Sequence, residues 1–115
     1  MTFKPFDVLV VPFPFTDSAA VKRRPALVLS AEQFQDRSGH LVCAMITSRE
    51  NRGWLLDVEI TDLKVAGLPH ASVVRMKLFT LDERCVLRKA GQLGSADRTA
   101  LKRNLKLLLP LTDDP

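Results

Sequence analysis

The sequence contains few of the residues from which metal sites and disulfide frameworks are built. It has two cysteines, two histidines, one tryptophan and no tyrosine among 115 residues. Cys43 and Cys85 lie far apart and belong to no CxxC or Cys/His pattern, which predicts two buried free thiols in a reducing compartment. His40 and His70 are isolated, and we interpret each as a surface loop histidine. We therefore expect neither a metal site nor a cofactor.

Long apolar runs and common nucleotide-binding motifs are also missing. No apolar segment approaches the roughly 20 residues that a membrane-spanning helix needs. The N-terminal residues show neither the basic and apolar segments nor the small-residue cleavage site of a signal peptide. There is no P-loop, no G-x-G-x-x-G and no G-x-S-x-G motif. These absences predict a cytoplasmic protein without a membrane partner and exclude those enzyme classes.

Size and charge set broad limits on the fold and on its partners. A chain of 115 residues with 46% apolar and 26% charged residues fits a single domain, residues 1–115, with a modest core. The net charge of +4 makes the protein moderately basic. Such an excess permits an anionic partner such as nucleic acid, but it does not require one.

Short β-branched segments recur through most of the chain and predict strands. The first segment, residues 7–11, is apolar on both faces, so it is either buried on both sides or packed against a partner subunit. Because prolines interrupt its continuation, Phe13 is expected on an edge or bulge. Further strands are predicted at residues 25–30, 41–47, 54–60, 72–78 and 84–93, with helical turns within residues 31–39 and 61–67.

The C-terminal segment predicts a helix. Ser95 is a suitable N-cap, Asp97 lies in the first turn, and Pro110 ends the segment. One apolar stripe consists of Leu101, Leu105 and Leu108. The whole pattern indicates a mainly β (α+β) fold: a bent sheet or small barrel of short antiparallel strands with a C-terminal helix.

Arginine and hydroxyl side chains at two strand ends are the candidates for chemistry. Arg24 precedes a predicted strand, and Thr47 ends another. A guanidinium can stabilise the extra charge of a phosphorane, and a hydroxyl can orient a phosphate oxygen, but threonine is a poor base. Taken alone, each residue is more often a surface arginine or a packed strand residue, and this reasoning leaves the general base unassigned.

Several motifs, in the same order along nearly the whole chain, resemble the MazF/PemK family of toxins. They are DVLVVPFPFTD at 7–17, KRRPALVLS at 22–30, ITSR at 46–49, GLP at 67–69, SVVR at 72–75, KLFTLD at 77–82 and GQL at 91–93. The resemblance implies an SH3-like barrel with a C-terminal helix that forms a homodimer. It also implies a toxin that cleaves single-stranded RNA selectively without a metal, halts translation and binds a cognate antitoxin.

The resemblance also implies roles for individual residues. Arg24 matches the arginine that contacts the scissile phosphate, Thr47 matches the active-site threonine or serine, and Arg75 matches an arginine with acid–base or phosphate roles. RNA contacts are expected at Lys22, Arg23, Ser48, Arg49 and Lys77. Lys77 stands where some members have an aspartate, so no carboxylate base is evident. The loop at residues 16–22 is expected to close over the site.

Two other classes of function fit the same sequence. The first is a non-catalytic binding module, because related gyrase-poisoning toxins use this fold for protein contact. The second is a nucleic-acid-binding protein without turnover, which would use the basic helix face formed by Arg98, Lys102 and Lys106.

The two apolar faces of the first strand, in so small a chain, suggest a homodimer.

Overall fold

The computed structural model describes residues 1–13 and 22–111, and within them it contains six strands, three α-helices and one 3-10 turn. The predicted loop at residues 16–22 lies almost wholly outside this range. In chain order the elements are β1 Asp7–Phe13, β2 Lys22–Val28, α1 Glu32–Ser38, β3 His40–Ser48, β4 Val58–Glu59, α2 Leu63–Ala66, β5 Ser72–Asp82, the 3-10 turn Glu83–Cys85, β6 Arg88–Gln92 and α3 Ser95–Leu108. Among the described residues, no helix has both the length and the apolar character needed to cross a bilayer.

The strands form one antiparallel sheet in the order β4-β5-β3-β2-β1-β6. The prediction of a mainly β fold with antiparallel strands and a C-terminal helix is therefore confirmed. The long strands β3 and β5 pair over most of their length, with one register shift after Ala44. This shift bends the sheet, because a bulged strand twists more strongly than a regular one.

The first strand is covered on both faces by its own chain. Val8 packs in the core inside the curled sheet, whereas Leu9 and Val11 pack in a second cluster on the other face. All three side chains are at most 1% exposed. The prediction of burial on both sides is confirmed, and the strand itself therefore provides no argument for a partner subunit.

Helix α2 bridges the two edge strands of the sheet. It follows β4 along the chain and packs against β6 at the opposite edge. The approach is close because a Cβ at Gly67 would lie 2.1 Å from the carbonyl oxygen of Ala90, and one at Gly91 would lie 2.3 Å from that of Val65. Gly67 also ends the helix with a φ of +72°, so the predicted glycine-terminated helical turn is confirmed.

The predicted strand at residues 54–60 is wrong over its first half, because only Val58–Glu59 is a strand. Trp54 and Asp57 instead close a turn: the Asp57 carboxylate accepts the N–H of Trp54, and the N–H of Asp57 donates to the carbonyl of Trp54. Leu56 within the turn has a φ of +68°. Local hydrogen bonds of an aspartate therefore override an alternating apolar pattern.

The start of α3 also differs from the prediction. Gly94, not Ser95, occupies the N-cap position, and no side chain caps the helix. Asp97 in the first turn is buried and accepts hydrogen bonds from the backbone N–H groups of Thr61 and Asp62 and from the hydroxyl of Thr61. The apolar stripe packs as predicted, with Leu101 fully buried and Leu105 and Leu108 partly buried.

Both cysteines are free thiols, as predicted. Cys43 is fully buried in the second cluster, and this burial raises the pKa of its thiol to about 12. Because the thiolate is the reactive species, Cys43 is chemically inert at neutral pH. Cys85 is only partly buried, which differs from the expectation that both thiols lie inside.

Replacement of Gly67 with alanine is expected to lower the free energy of unfolding by about 2 kcal/mol or more, through overpacking against Ala90 and a positive φ. Urea denaturation followed by circular dichroism measures the change. Gly53→Ala is the matched control, because nothing lies within 4 Å of a Cβ at that position. Equal stability of the two variants would contradict the close packing of α2 on β6.

Candidate functional site

A cleft of about 930 Å³ opens beside the ends of β2 and β3. We call it the Arg24–Thr47 cleft. Its polar lining comes from both of these strands, from the turn after β3, from the segment between α2 and β5, from the start of β5 and from β6. The residues with polar or charged side chains are Arg23, Arg24, Thr47, Ser48, Glu50, His70, Ser72 and Arg88.

Pro25 explains why β2 and β3 stop pairing beside the cleft. The β2–β3 pairing runs from Val28 to Ala26 and goes no further. The N–H of Leu29 donates to the carbonyl of Val42, and the same alternation would direct the N–H of residue 25 at Ile46. Proline has no such N–H, so the ladder ends and the cleft lies beyond it.

Arg24 and Thr47 both line this cleft, and their binding of one phosphate stays a prediction. The register pairs Ala26 with Met45, and continuing it by two residues places Arg24 opposite Thr47. Arg24 is half-buried, and no hydrogen bond or ion pair to another described residue engages its guanidinium. Among the described residues, none therefore competes with an anion in the cleft for this guanidinium.

The hydroxyls of the cleft are oriented by the turn that follows β3. Asn51 Nδ2 donates to Thr47 Oγ1 at 2.6 Å, and the N–H of Glu50 donates to Ser48 Oγ at 3.2 Å. A hydroxyl that accepts a hydrogen bond in this way keeps its own proton for donation. Both side chains can therefore donate to a phosphate oxygen in the cleft.

Positive charge predominates in the described part of the lining. It contains three arginines, Arg23, Arg24 and Arg88, and one carboxylate, Glu50. Sequence reasoning missed Arg88 and Glu50 and treated His70 only as a loop residue. His70 is indeed exposed on a loop, but that loop lines the cleft. Proximity in sequence to Thr47 could have indicated Glu50, whereas Arg88 reaches the cleft only through the strand order, because β6 pairs with β1. Among the described residues, no group of three or more His, Cys, Asp or Glu side chains could hold a metal.

Four of the predicted site residues lie outside the lining of the cleft: Lys22, Arg49, Arg75 and Lys77. Lys22 begins β2 and is exposed. Arg49 Nη1 pairs with Glu59 Oε1 at 2.7 Å, and both side chains are more than half exposed. Lys77 lies over the ring of Trp54. The structure thus groups Arg23, Arg24, Thr47 and Ser48 and separates them from the rest.

Arg75 is bound to the turn that precedes β4. Its Nε and Nη2 donate to the two carboxylate oxygens of Asp57 at 3.2 and 2.9 Å, and Nη2 also donates to the carbonyl of Arg52 at 2.7 Å. The hydrogen bond to Asp57 raises the pKa of Arg75 above its already high value. A guanidinium held in this way keeps its proton, so the geometry favours a positioning role over proton transfer.

The basic face of α3 is partly used in packing. Arg98 Cζ lies 5.2 Å and Lys102 Nζ lies 5.4 Å from the centroid of the Phe6 ring. Arg98 Nε also donates to the carbonyl of Leu93 at 2.7 Å. These contacts explain the two cations without a nucleic acid, so they give no support to a binding face on this helix.

The chain matches one protein family over nearly its whole length. A family model described as a PemK-like, MazF-like toxin of type II toxin–antitoxin systems matches residues 4–109. No curated protein matches the chain.

Solved structures share its fold at low sequence identity. The MazE–MazF structure from Deinococcus radiodurans superposes with a TM-score of 0.77 at 21% identity, covering 97% of this chain and 100% of that chain. The toxin MazF-mt6 from Mycobacterium tuberculosis gives 0.73 at 23% identity, covering 92% and 98%. An endoribonuclease in complex with its cognate antitoxin, from a mycobacterial species, gives 0.73 at 13% identity, covering 98% of both chains. These similarities show that the fold is the same.

Replacement of Arg75 with glutamine is expected to lower the free energy of unfolding by about 2 kcal/mol, because it leaves the largely buried Asp57 without its charged partner. The control is Arg49→Gln, which breaks an exposed pair and should change stability by no more than about 0.5 kcal/mol. Urea denaturation compares the two variants. Wild-type stability of the Arg75 variant would show that the pair does not hold the turn.

Proposed function

The chain belongs to the family of PemK-like, MazF-like toxins of type II toxin–antitoxin systems, and on this premise we propose that it is an endoribonuclease. It cleaves single-stranded RNA such as mRNA at selected sequences, without a metal ion, and thereby inhibits translation and growth. The observation that carries the proposal is that Arg24, without a partner among the described residues, shares one cleft with the Thr47 hydroxyl. The mycobacterial endoribonuclease of the same fold supports it.

In the proposed reaction a 2′-hydroxyl of the RNA loses its proton and attacks the adjacent phosphorus in line. The bond from phosphorus to the 5′-oxygen breaks, and that oxygen takes up a proton, leaving a 2′,3′-cyclic phosphate and a 5′-hydroxyl. Arg24 stabilises the charge that builds on the phosphorane oxygens. Thr47 donates to one of these oxygens and so fixes the phosphate relative to the guanidinium.

Proton transfer needs a group other than these two. Of the described residues in the cleft lining, Glu50 supplies a carboxylate and His70 an imidazole, the side-chain types that most often act as general bases and acids. We therefore include both as candidates for the base and the acid, and Arg75 is assigned to positioning.

Cleavage rates of Glu50→Gln and His70→Gln, measured across pH, test each candidate, and wild-type profiles for both variants would remove them.

The proposal also includes two protein partners. A cognate antitoxin is supported by the MazE–MazF complex and by the antitoxin-bound endoribonuclease of the same fold. A second copy of this chain is supported by an apolar groove at the junction of α1, β3, β5 and the end of α3. It is lined by Leu29, Phe34, Val42, Leu78, Leu105, Leu109 and Leu111. The proposed site of action is the cytoplasm, where mRNA is translated.

Purified protein is expected to cut single-stranded RNA at discrete sites in the presence of EDTA, and Arg24→Ala should lower the rate by about a hundredfold or more, because it removes the charge on the phosphorane. Denaturing gel electrophoresis of a long transcript measures both. Arg37→Ala, an exposed arginine on α1 outside the cleft lining, is the matched control and should cleave like wild type.

RNA binding without cleavage, unchanged in the Arg24 variant, would instead support the non-catalytic binding module. Cleavage that stops in EDTA and returns with a divalent cation would contradict the metal-independent mechanism. Cleavage by Arg24→Ala at the wild-type rate would show that the cleft is not the site.

We expect light scattering of the purified protein at micromolar concentration to give the mass of a dimer. Phe34→Asp should shift the protein to monomer, because it buries a charge in the apolar groove. Val65→Asp is the control, since Val65 is 44% exposed, close to the 42% of Phe34, but lies on α2 outside the groove. A monomeric wild type would contradict the proposed homodimer.

A further inference from the structure

The single tryptophan of the chain lies at the surface. Trp54 is 50% exposed, and the neighbouring Leu55 is 82% exposed. A half-exposed indole adds little to the core, and a large apolar ring at the surface is more typical of binding sites than of the solvated surface at large. Packing among the described residues therefore does not explain why this ring lies at the surface.

The turn that presents Trp54 is held in place by contacts from three elements. Asp57 closes it locally, Arg75 of β5 holds both Asp57 and the carbonyl of Arg52, and Asn104 of α3 donates to the carbonyl of Leu56 at 3.0 Å. Leu56 keeps a left-handed backbone conformation, φ +68°, that costs energy for any residue with a Cβ. These contacts position the indole in advance, as a binding site requires.

The surroundings of the ring are cationic. Lys77 Nζ lies 4.5 Å from the ring centroid and covers part of the indole. Trp54 also lines a shallow depression of about 690 Å³, together with Asn51, Arg52, Gly53, Leu55 and Arg75, and Lys77 does not belong to that lining. Because Asp57 neutralises Arg75, the charges available to a ligand here are Lys77 and Arg52.

This depression adjoins the Arg24–Thr47 cleft. Glu50 lines the cleft and the next residue, Asn51, lines the depression. Asn51 Nδ2 also donates to Thr47 Oγ1 at 2.6 Å, so one hydrogen bond joins the two linings. A strand of nucleotides that crosses the cleft can therefore continue onto the Trp54 turn.

We propose that Trp54 is a stacking platform for one base of the single-stranded RNA, with Lys77 and Arg52 binding the phosphates beside it. The inference rests on the proposed function and extends it by a subsite next to the scissile phosphate. An aromatic side chain accepts any base, since every base has a π face. The platform therefore adds affinity and fixes the register of the strand, while sequence selectivity comes from elsewhere in the cleft.

An apolar protein segment is the competing occupant of an exposed tryptophan. The charges favour RNA over a neutral segment, because Lys77 lies over the ring, Arg52 lines the same depression, and a neutral segment would displace water from both cations without replacing it with an anion. A polyanion with flat apolar bases satisfies both features at once.

Intrinsic fluorescence tests the platform directly, because Trp54 is the only tryptophan. The probe is a short randomised pool of 2′-O-methyl RNA, which lacks the attacking hydroxyl and is not cleaved. We expect its binding to quench Trp54, with the quenching following the binding curve from the anisotropy of a labelled pool. An oligomer with the same backbone but no bases should bind more weakly and leave the fluorescence unchanged.

Variants of Trp54 test whether binding of the RNA pool needs an aromatic face at this position. Trp54→Ala should weaken binding of the pool about tenfold, whereas Trp54→Phe, which keeps an aromatic face, should stay within about threefold of wild type. Leu107→Ala, an apolar residue that is 66% exposed on α3, is the control and should bind like wild type. Urea denaturation of each variant checks that the fold is intact.

The outcomes distinguish this inference from the proposed function. Cleavage of natural RNA by wild type, together with unchanged Trp54 fluorescence and wild-type binding by Trp54→Ala, would overturn the platform alone and leave a protein segment as its occupant. Equal quenching by the base-free backbone would overturn stacking as the mode of binding. Failure of wild type to bind or cleave any RNA would overturn the proposed function and the platform with it.

Discussion

The missing N–H of Pro25 is the constraint on which the candidate site depends. A full β2–β3 ladder would draw Arg24 and Thr47 into regular pairing and leave no space between their strand ends. Because the ladder stops after Ala26, the two side chains stand at a cleft while the rest of the sheet stays closed around its core. A rigid scaffold with one interrupted ladder is an economical way to place a guanidinium and a hydroxyl at one anion.

Two arginines that look equivalent in the sequence have different environments. Arg24 is held by no other described side chain and is available to a ligand, whereas Arg75 is committed to Asp57 and to the carbonyl of Arg52. The structure thus separates the charge that can meet a phosphate from the charge that fixes the neighbouring turn. The resemblance to a family could not make this distinction, because it depends on which carboxylate the fold brings to each arginine.

The sequence was sufficient for the fold and for bringing Arg24 and Thr47 to neighbouring strand ends, and it failed where distant contacts decide. Alternating apolar residues and Gly67 located most strands and the end of α2, because these signals are local. The alternating pattern predicts a strand at residues 54–57. The structure has a turn there, because Arg75 and Asn104, far away in sequence, donate hydrogen bonds to Asp57 and Leu56. Arg88 was missed because only the strand order, with β6 beside β1, brings it to the cleft, and His70 was missed because the segment between α2 and β5 reaches the cleft only in the folded chain.

The pairing of β1 with β6 has a consequence for the order of events during synthesis. Of the described strands, β1 leaves the ribosome first, but β6, its partner on one side, is made after all the others, and α2 can bridge the sheet edges only once β6 is in place. Such long sequence separations delay folding. A nascent chain therefore lacks the β6 wall of the cleft until residues 88–92 have been made.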